Sequence, residues 1–480
     1  MKAQRYFHLA PGLAVLALAG CAVGPDYHRP AVDTPAAFKE GGTWKPTEPS
    51  EQLPRGKWWE VYGDPVLNSL QDRIEVSSNT LYIAEAQYRQ AAAAASIAES
   101  ALFPTVNAEA SANRTKTSNN RSGPLASANS PTNSPGIFNT FAAGLAASWE
   151  LDLWGRVRRS AEAGRTAAEA SAADLESVRL SLHATLAQTY FSLRVADTEQ
   201  RLYERIIADY QRSLKMTQNR YAQGVDTRAD VAAAETQLKS TQAQAIDLSL
   251  TRAQLEHALA ILVGKAPAAF SLDPANFTLV PPPPPALLPS QQLERRPDIA
   301  AAERRLASAS AGIGVAKAGY FPLVTLSGSA GFQGSQWQHL FSVPNEVWSF
   351  GADALMPLFD GGKVRAEVAQ ARAVYDANLG TYRQAVLSAF QEVEDNLAAA
   401  VLLSRESTVQ QEAVAAARQS TTITLNQYKA GTVSYLNVVT AQSAQLNAER
   451  TAADLLGRQL NATVVLFKAA GGDWRRDAKP

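Results

Sequence analysis

Side chains that could support catalysis are present, but their spacing does not build a catalytic or metal site. Gly361-Gly362-Lys363 lacks both the earlier glycine and the following serine or threonine of a phosphate-binding loop. Gly312-Ile313-Gly314 lacks the third glycine of a dinucleotide-binding turn. The histidines are scattered without the short intervals typical of zinc ligands: His8, His28, His183, His257 and His339. The sequence therefore predicts no enzyme, no metal and no organic cofactor.

The single cysteine, Cys21, is placed for covalent lipid attachment. It follows a segment that begins with basic residues and continues with a short apolar stretch, the pattern of a secretion signal. The sequence Leu18-Ala19-Gly20-Cys21 resembles a bacterial lipobox, in which the cysteine is diacylated and becomes the new N-terminus. We therefore predict that Cys21 carries acyl chains, of which several are needed for firm anchoring. A plain signal peptide with a chance cysteine is the alternative.

A cluster of charge follows Gly224, where Asp226, Arg228 and Asp230 alternate with uncharged residues. In a symmetric oligomer each acid would form a ring of like charges, which could favour cations or pair with Arg228 of a neighbouring chain. The same charges are equally compatible with a solvated turn between two helices. Both interpretations require elements that hold this turn in place.

Composition favours an elongated helical architecture. The 480 residues contain 45 Lys+Arg and 45 Asp+Glu, so no global field recruits nucleic acid or an anionic surface. Hydrophobic residues are 46% of the chain, and much of this is alanine, which suits close helix packing. After the signal, no run of about 18 apolar residues predicts a transmembrane helix.

The two halves of the chain repeat one another, which indicates a tandem duplication. The Phe-Pro pairs match at an offset of 218 residues, which relates Phe103 to Phe321. Beginning at Gly155, the offset is 207 residues, and the matching pairs are Gly155 and Gly362, Tyr221 and Tyr428, and Gly224 and Gly431. The difference of 11 residues falls between residues 104 and 155, where a loop would accommodate it.

Each repeat is expected to contain a helix, two strands, a long helix, a turn and a further helix. Gly155 to Tyr221 lacks proline and is rich in strong helix formers, which predicts a helix of about 100 Å. Gly224 to Gly264 predicts a helix of about 60 Å, and Leu81 to Leu102 one of roughly 30 Å. Tyr-x-x-Gly suits the turn, because glycine can adopt the left-handed conformation that ends a helix.

Four segments alternate apolar and polar residues, which predicts strands at about 105–113, 138–153, 323–333 and 347–358. Alternation over about ten residues, with aromatics present, is the signature of membrane β-barrel strands. A half-buried soluble hairpin is the alternative. On the membrane interpretation, the lipid-facing side chains are Leu145, Ala147, Trp149 and Leu151 in the first repeat and Phe350, Ala352 and Ala354 in the second.

Four strands cannot close a barrel, for which about eight are the practical minimum. An open edge in lipid would leave backbone groups without hydrogen bonds, so neighbouring chains must complete the wall. An oligomer is therefore predicted. Two chains with eight strands and three chains with twelve both satisfy this requirement.

The expected organisation has six parts. They are a lipoprotein signal peptide at 1–20, a lipid-anchored extended strap at 21–64, a first repeat at 65–280, a Pro-rich linker at 281–297, a second repeat at 298–472 and a tail at 473–480. The strap is predicted from its six prolines and lack of periodicity. Trp58, Trp59 and Tyr62 are candidates for fixing its end to the body.

Almost the whole mature chain resembles the outer membrane factors, the TolC-like proteins, and within them the NodT-type efflux lipoproteins. The resemblance rests on the paired Phe-Pro and Tyr-x-x-Gly sequences and on three motifs: Gly24-Pro25-Asp26-Tyr27-His28-Arg29-Pro30, Trp58-Trp59 with Gly63-Asp64-Pro65, and Arg295-Arg296-Pro297-Asp298-Ile299 with Ala302-Glu303. It implies an α+β membrane protein, a homotrimer whose 12-stranded β-barrel continues as a periplasmic α-barrel. It also implies an outer-membrane duct for drugs or other small toxic molecules. Its partners would be a periplasmic adaptor protein and an inner-membrane pump, commonly of the resistance-nodulation-division type.

The long helices of the two repeats have equal computed length, so we expect both helical turns to lie together at the periplasmic tip, for adaptor docking and as a candidate gate. The residues expected there are Tyr221, Gly224, Asp226, Arg228, Asp230, Tyr428, Gly431, Tyr435, Leu436 and Thr440. The chain departs from the family after the second turn, where several members carry an acidic and then a basic residue. Thr440 and Ser443 occupy those places, so the pattern does not support a gate closed by those charges.

Two other functions stay open on the sequence. A duct for type I protein secretion would share the fold, but more often lacks the lipid cysteine and the NodT-like opening. A coiled-coil structural or adhesive protein is disfavoured by the four alternating strands and the internal repeat. The sequence does not identify the exported molecules, because the lining of a duct need only be hydrated and the lumen wide enough for them to pass.

Overall fold

The computed structural model describes residues 22–35, 37–39, 57–116, 137–275, 277, 279–283 and 296–469. The predicted signal peptide, Cys21, most of the Pro-rich linker and the C-terminal tail lie outside the described residues. The chain divides into two compact units. We call them the sheet unit (Arg89–Glu169 and Glu303–Gly380, with the N-terminal segment to Pro30) and the helical unit (Ala31–Tyr88, Ala170–Ala302 and Thr381–Pro480).

The described elements follow the predicted repeat. The helices are α1 Pro65–Ser77, α2 Asn79–Ser100, α3 Arg156–Ala222, α4 Arg228–Leu262, α5 Pro297–Ala318, α6 Lys363–Lys429 and α7 Tyr435–Ala469, and the strands are β1 Thr105–Lys116, β2 Ile137–Leu151, β3 Leu323–Gly334 and β4 Glu346–Leu355. The long helices α3 and α6 each contain 67 residues, and α4 and α7 each contain 35. The duplication thus preserves the lengths of these helices, which lie where the offset between the repeats is constant.

Helix α1 was not among the predicted elements. It begins because Asp64 caps it: the carboxylate oxygen Oδ1 accepts hydrogen bonds from the backbone N–H groups of Val66 at 2.8 Å and Leu67 at 3.1 Å. The other carboxylate oxygen accepts from the Tyr190 hydroxyl at 2.5 Å. The Gly63-Asp64-Pro65 motif is therefore a helix start that is tied to α3.

The four strands form an antiparallel sheet in the order β1-β2-β3-β4. Strand β1 reaches Lys116, three residues beyond the expected end, because its polar tip still pairs with Ile137 of β2. Strand β4 ends at Leu355, short of the expected 358, and Pro357 just beyond it has no N–H to donate. All four strands belong to the sheet unit.

The core of the helical unit is aromatic and includes the end of the strap. Trp58 stacks on Phe467 with ring centroids 6.1 Å apart, and the Tyr62 hydroxyl shares a hydrogen bond of 2.8 Å with Thr463 on α7. Trp59 stacks on the buried His183 ring at 4.3 Å. All three strap residues singled out in the sequence are buried, so residues 58–62 are fixed to α3 and α7.

Within the described residues, none of the helices carries an apolar stretch of the length needed to cross a bilayer.

Candidate functional site

The sheet has one apolar face that continues across all four strands. Residues directly opposite one another in an antiparallel sheet share a face, so the register defines the set. Leu145 lies between Ala108 and Ala330, and Ala330 lies opposite Trp348. Further members of this face are Val106, Ala147, Trp149, Leu151, Val324, Leu326, Phe350, Ala352 and Ala354. The seven residues expected to face lipid therefore share one side of the sheet.

The opposite face is mostly polar or small, with large apolar residues only toward the strand ends. Its members include Asn107, Glu109, Ser111, Ser148, Glu150, Thr325, Ser327, Ser329, Ser349 and Asp353. Ser329 and Ser349 hydrogen-bond across the strands at 2.8 Å. Large apolar side chains of the first face, Leu145, Trp348 and Phe350 among them, remain exposed in the single chain. A sheet with one polar, hydrated face and one apolar face is suited to separate water from lipid, as the wall of a membrane β-barrel does.

The sheet is open at both sides in the described chain. Strands β1 and β4 are its edges, and each pairs with a single neighbour. Their free N–H and C=O groups form rows that can pair with another copy of the sheet. The arrangement is therefore an incomplete wall.

A second candidate site lies where the helical hairpins turn, at the end of the helical unit's long helices. Gly224 and Gly431 have φ angles of +77° and +79°, a conformation that favours glycine. The N–H of Val225 donates to the Arg220 carbonyl at 2.9 Å, and the N–H of Thr432 donates to the Gln427 carbonyl at 3.0 Å. Both turns thus end their helix by the same hydrogen-bonded motif, which the two Tyr-x-x-Gly sequences encode.

The two turns meet through one buried cluster. The Tyr428 hydroxyl donates to the Asp226 carboxylate and lies 3.0 Å from the Thr217 hydroxyl. The Arg220 Nε donates to both Asp226 carboxylate oxygens, at 3.1 and 3.0 Å, and its guanidinium lies 4.7 Å from the Tyr428 ring centroid. Tyr428, 1% exposed, also packs edge-on against Tyr435 at 5.5 Å. We call Arg220, Asp226 and Tyr428 the turn junction.

Burial keeps the Tyr428 hydroxyl of this junction protonated. Burial, followed by the hydrogen bond to the Asp226 carboxylate, raises the pKa of Tyr428 to about 12. Tyr428 therefore stays a neutral donor at physiological pH. Burial also raises the pKa of Tyr435, whose hydroxyl has no hydrogen-bond partner among the described residues.

The duplicated tyrosines are not equivalent in the folded chain. Tyr221 precedes Gly224 as Tyr428 precedes Gly431, yet Tyr221 is 46% exposed. The repeat aligns Asp226 with Val433, which cannot accept a hydrogen bond. One chain therefore builds the acidic junction once, and Tyr221 is left exposed.

The remaining predicted tip residues have different roles. Asp230 forms a reciprocal cap with Thr227, whose N–H donates to Asp230 at 3.0 Å, so this acid is used at the start of α4. The Thr440 hydroxyl donates to the Leu436 carbonyl at 3.0 Å, and Ser443 accepts from Gln237 at 3.1 Å. Arg228 and Leu436 are exposed. Val225, which directly follows Gly224 in the first turn, is exposed as well.

The residues just after Cys21 are bound to the sheet unit. The Val23 N–H donates to the Trp154 carbonyl at 2.9 Å, immediately beyond β2. A side chain at Gly24 would place its Cβ 2.5 Å from Gly314 Cα, so only glycine fits there. Asp26 pairs with Arg159 at 2.6 Å, and Tyr27 donates to Glu303 at 2.7 Å. The Gly-Pro-Asp-Tyr motif thus fixes the N-terminal segment where strand passes into helix.

Comparisons with known proteins agree with this geometry. A profile of the outer membrane efflux protein family matches residues 70–265 and 288–472. The solvent efflux pump outer membrane protein SrpC of Pseudomonas putida is 32% identical over 473 residues, 98% of either chain. The pyoverdine export outer membrane protein OpmQ of Pseudomonas aeruginosa is 34% identical over 425 residues, 88% of either chain. The solved outer-membrane channel OprN superposes with a TM-score of 0.84 at 30% identity, covering 94% of this chain and 99% of that one.

Proposed function

The chain belongs to the outer membrane efflux protein family, and we propose that it works as a lipid-anchored trimer at the outer end of a tripartite pump. The family consists of outer-membrane efflux channels and not of enzymes, and the resemblance to TolC-like proteins is thereby confirmed. In the described ranges, no three His, Cys, Asp or Glu side chains come together to hold a metal ion. The covalent lipid on Cys21 is the single non-protein group in the proposal.

The open amphipathic sheet is the observation that carries the oligomer, and membership of the TolC-like family supports three copies. Four strands with two free edges and an exposed apolar face are stable in lipid only when copies of the chain pair edge to edge. Three copies give a wall of twelve strands with the serine-rich face toward the lumen. In the same ring, Tyr221 of one copy would meet Val433 of the next, as Tyr428 meets Asp226 within a chain.

Cys21 is proposed as the anchor because its neighbour Val23 is held at the end of β2, next to the proposed membrane surface. Replacing Cys21 by Ser is expected to abolish incorporation of labelled palmitate. The oligomer should still assemble, because a complete barrel holds the protein in the membrane without the lipid. Label retained on the Cys21→Ser protein would refute the lipobox interpretation.

The turns are proposed to dock the periplasmic adaptor, since an apolar side chain of each turn is exposed: Val225 after the first turn and Leu436 after the second. A photo-crosslinker at Val225 or Leu436 is expected to capture the adaptor in cells that express it. Val225 is preferred to Thr227, because Thr227 caps α4 and its replacement would cost about 1 kcal/mol. The matched control is Ser342, in the β3–β4 connection.

Adducts at Ser342 with none at either turn would reverse the proposed orientation. Adducts at both turns support repeated docking surfaces, two per chain and six in a trimer.

An inner-membrane pump of the resistance-nodulation-division type would supply the energy for transport through this channel. The relatives named for solvent efflux and pyoverdine export suggest small organic molecules as cargo. A duct for type I protein secretion is the alternative.

A further inference from the structure

A pocket on the sheet unit gathers three basic side chains that lack an acidic partner. Lys317 lies near the end of α5, and Arg365 and Arg372 lie on the first turns of α6. All three line the pocket, together with Val23 and Tyr320. None of them forms an ion pair within the part of the chain that the structure describes. We call this group the basic pocket.

The internal repeat shows that this lack of acids is specific to the second copy. At the offset of 207, Arg372 corresponds to Arg165, and at the offset of 218, Lys317 corresponds to Glu99. In the first repeat, Arg165 donates to Glu99 at 3.1 Å, which neutralises both groups. The second repeat has a base in place of that acid, so Arg372 faces another cation.

The remaining arginine shows the same contrast. Arg158, the counterpart of Arg365, donates to Asp152 at 3.2 Å. Asp152 and Asp360 both accept from backbone N–H groups at the start of their helices, Asp360 from Gly362 at 2.8 Å and Val364 at 2.9 Å. Only Asp152 also pairs with the arginine side chain within the described residues. Three cations that line one pocket without an ion pair among the described residues create a positive potential, which favours an anion from outside the chain.

The surroundings of the pocket identify the kind of anion. Phe321, directly before β3, and Val368 give it an apolar flank. Val23 places it beside the lipid-bearing end of the chain, where strands pass into helices. A free phosphate would use the cations but not the flank, whereas a membrane lipid uses both.

We propose that the basic pocket binds the phosphate of an anionic glycerophospholipid, with its glycerol and first acyl carbons against Phe321 and Val368. The planar guanidinium groups of Arg365 and Arg372 can each donate two parallel hydrogen bonds to phosphate oxygens. The Lys317 ammonium adds a third positive charge. The proposal rests on the proposed function, because it requires the sheet to lie in a membrane. Its effect would be to fix the depth of the channel beside the covalent anchor.

The test is native mass spectrometry of the purified full-length protein in detergent, titrated with phosphatidylglycerol or with inorganic phosphate. Wild type is expected to retain phosphatidylglycerol. Combined Arg365→Gln and Arg372→Gln should weaken binding about 25-fold, because each lost charge near an anionic headgroup accounts for about fivefold. Lys317→Glu recreates the ion pair of the first repeat, so it should remove the adduct while heat stability is kept. Lys239→Glu on α4 makes the same charge change elsewhere and should have no effect.

Equal phosphatidylglycerol retention by wild type and Lys317→Glu would overturn the site. Inorganic phosphate that binds as tightly as the lipid would overturn the lipid assignment in favour of a small-anion site. Binding is measured without transport, so a protein that fails in efflux but retains the lipid would contradict the proposed function and leave the basic pocket standing.

Discussion

Replacing Leu145 by Arg is expected to destabilise the assembled barrel by roughly 2–4 kcal/mol, the cost of a cation facing lipid near mid-bilayer. Leu145 lies in the middle of β2 and is exposed in the single chain, with Ala108 and Ala330 beside it on the apolar face. The measurement is the fraction of heat-resistant oligomer in outer-membrane preparations across a temperature series.

The matched control is Ala146→Arg, because Ala146 lies on the polar face between Asn107 and Ser329. A cation there would point into water and should cost much less. Gly144 is unsuitable as a control, although sequence alternation alone would select it. A Cβ on Gly144 would lie 2.8 Å from the Ala330 carbonyl oxygen, so any side chain there disturbs the β2–β3 pairing. Equal losses at Leu145 and Ala146 would show that the alternation does not mark a lipid face.

Replacing Asp226 by Ala is expected to loosen the turn junction and raise the conductance of the reconstituted protein in planar bilayers. The substitution removes the acceptor of the buried Tyr428 hydroxyl and the partner of Arg220. Leaving buried polar groups unpaired costs about 1–3 kcal/mol each. Because the junction joins the two hairpins of a chain, its loss should let the turns separate.

A matched pair of tyrosine variants separates this role from general damage. Tyr428→Phe removes the hydroxyl that donates to Asp226, whereas Tyr221→Phe removes its exposed counterpart in the other repeat. Conductance should rise in the first and stay at the wild-type level in the second. Unchanged conductance in both Asp226→Ala and Tyr428→Phe would show that the junction is structural and does not close the channel.

The elements and the sheet faces could be predicted from the sequence because local patterns determine them. Period-two alternation identified all four strands, and the repeat offset identified equivalent helices and turns. Helix α1 was missed although its signals were readable: Asp64 caps it before Pro65, and the buried Leu67, Leu70 and Ile74 follow at helical spacing. The Thr227–Asp230 cap was readable as a capping sequence, but the charges were interpreted as a docking or gating group instead.

Contacts between distant helices could not be predicted, since a residue's own motif does not determine its neighbours. Tyr221 and Tyr428 occupy the same motif, yet Tyr428 is buried against Asp226 of its own chain, whereas Tyr221 is exposed in the single chain. Arg220 and Thr217 were missed for this reason, although Arg220 adjoins the first Tyr-x-x-Gly. The basic pocket likewise arises from one exchanged charge, Lys317 for Glu99, whose meaning depends on the helix packed beside it.

Intracellular accumulation of labelled small toxic molecules, compared among the native host, a strain lacking this gene and the complemented strain, tests the efflux duct most directly. Accumulation should rise on deletion and return to the parental level when the wild-type chain is restored. Unchanged accumulation across a chemically broad panel, together with loss of an exported protein from the culture medium, would contradict the efflux duct and favour protein secretion.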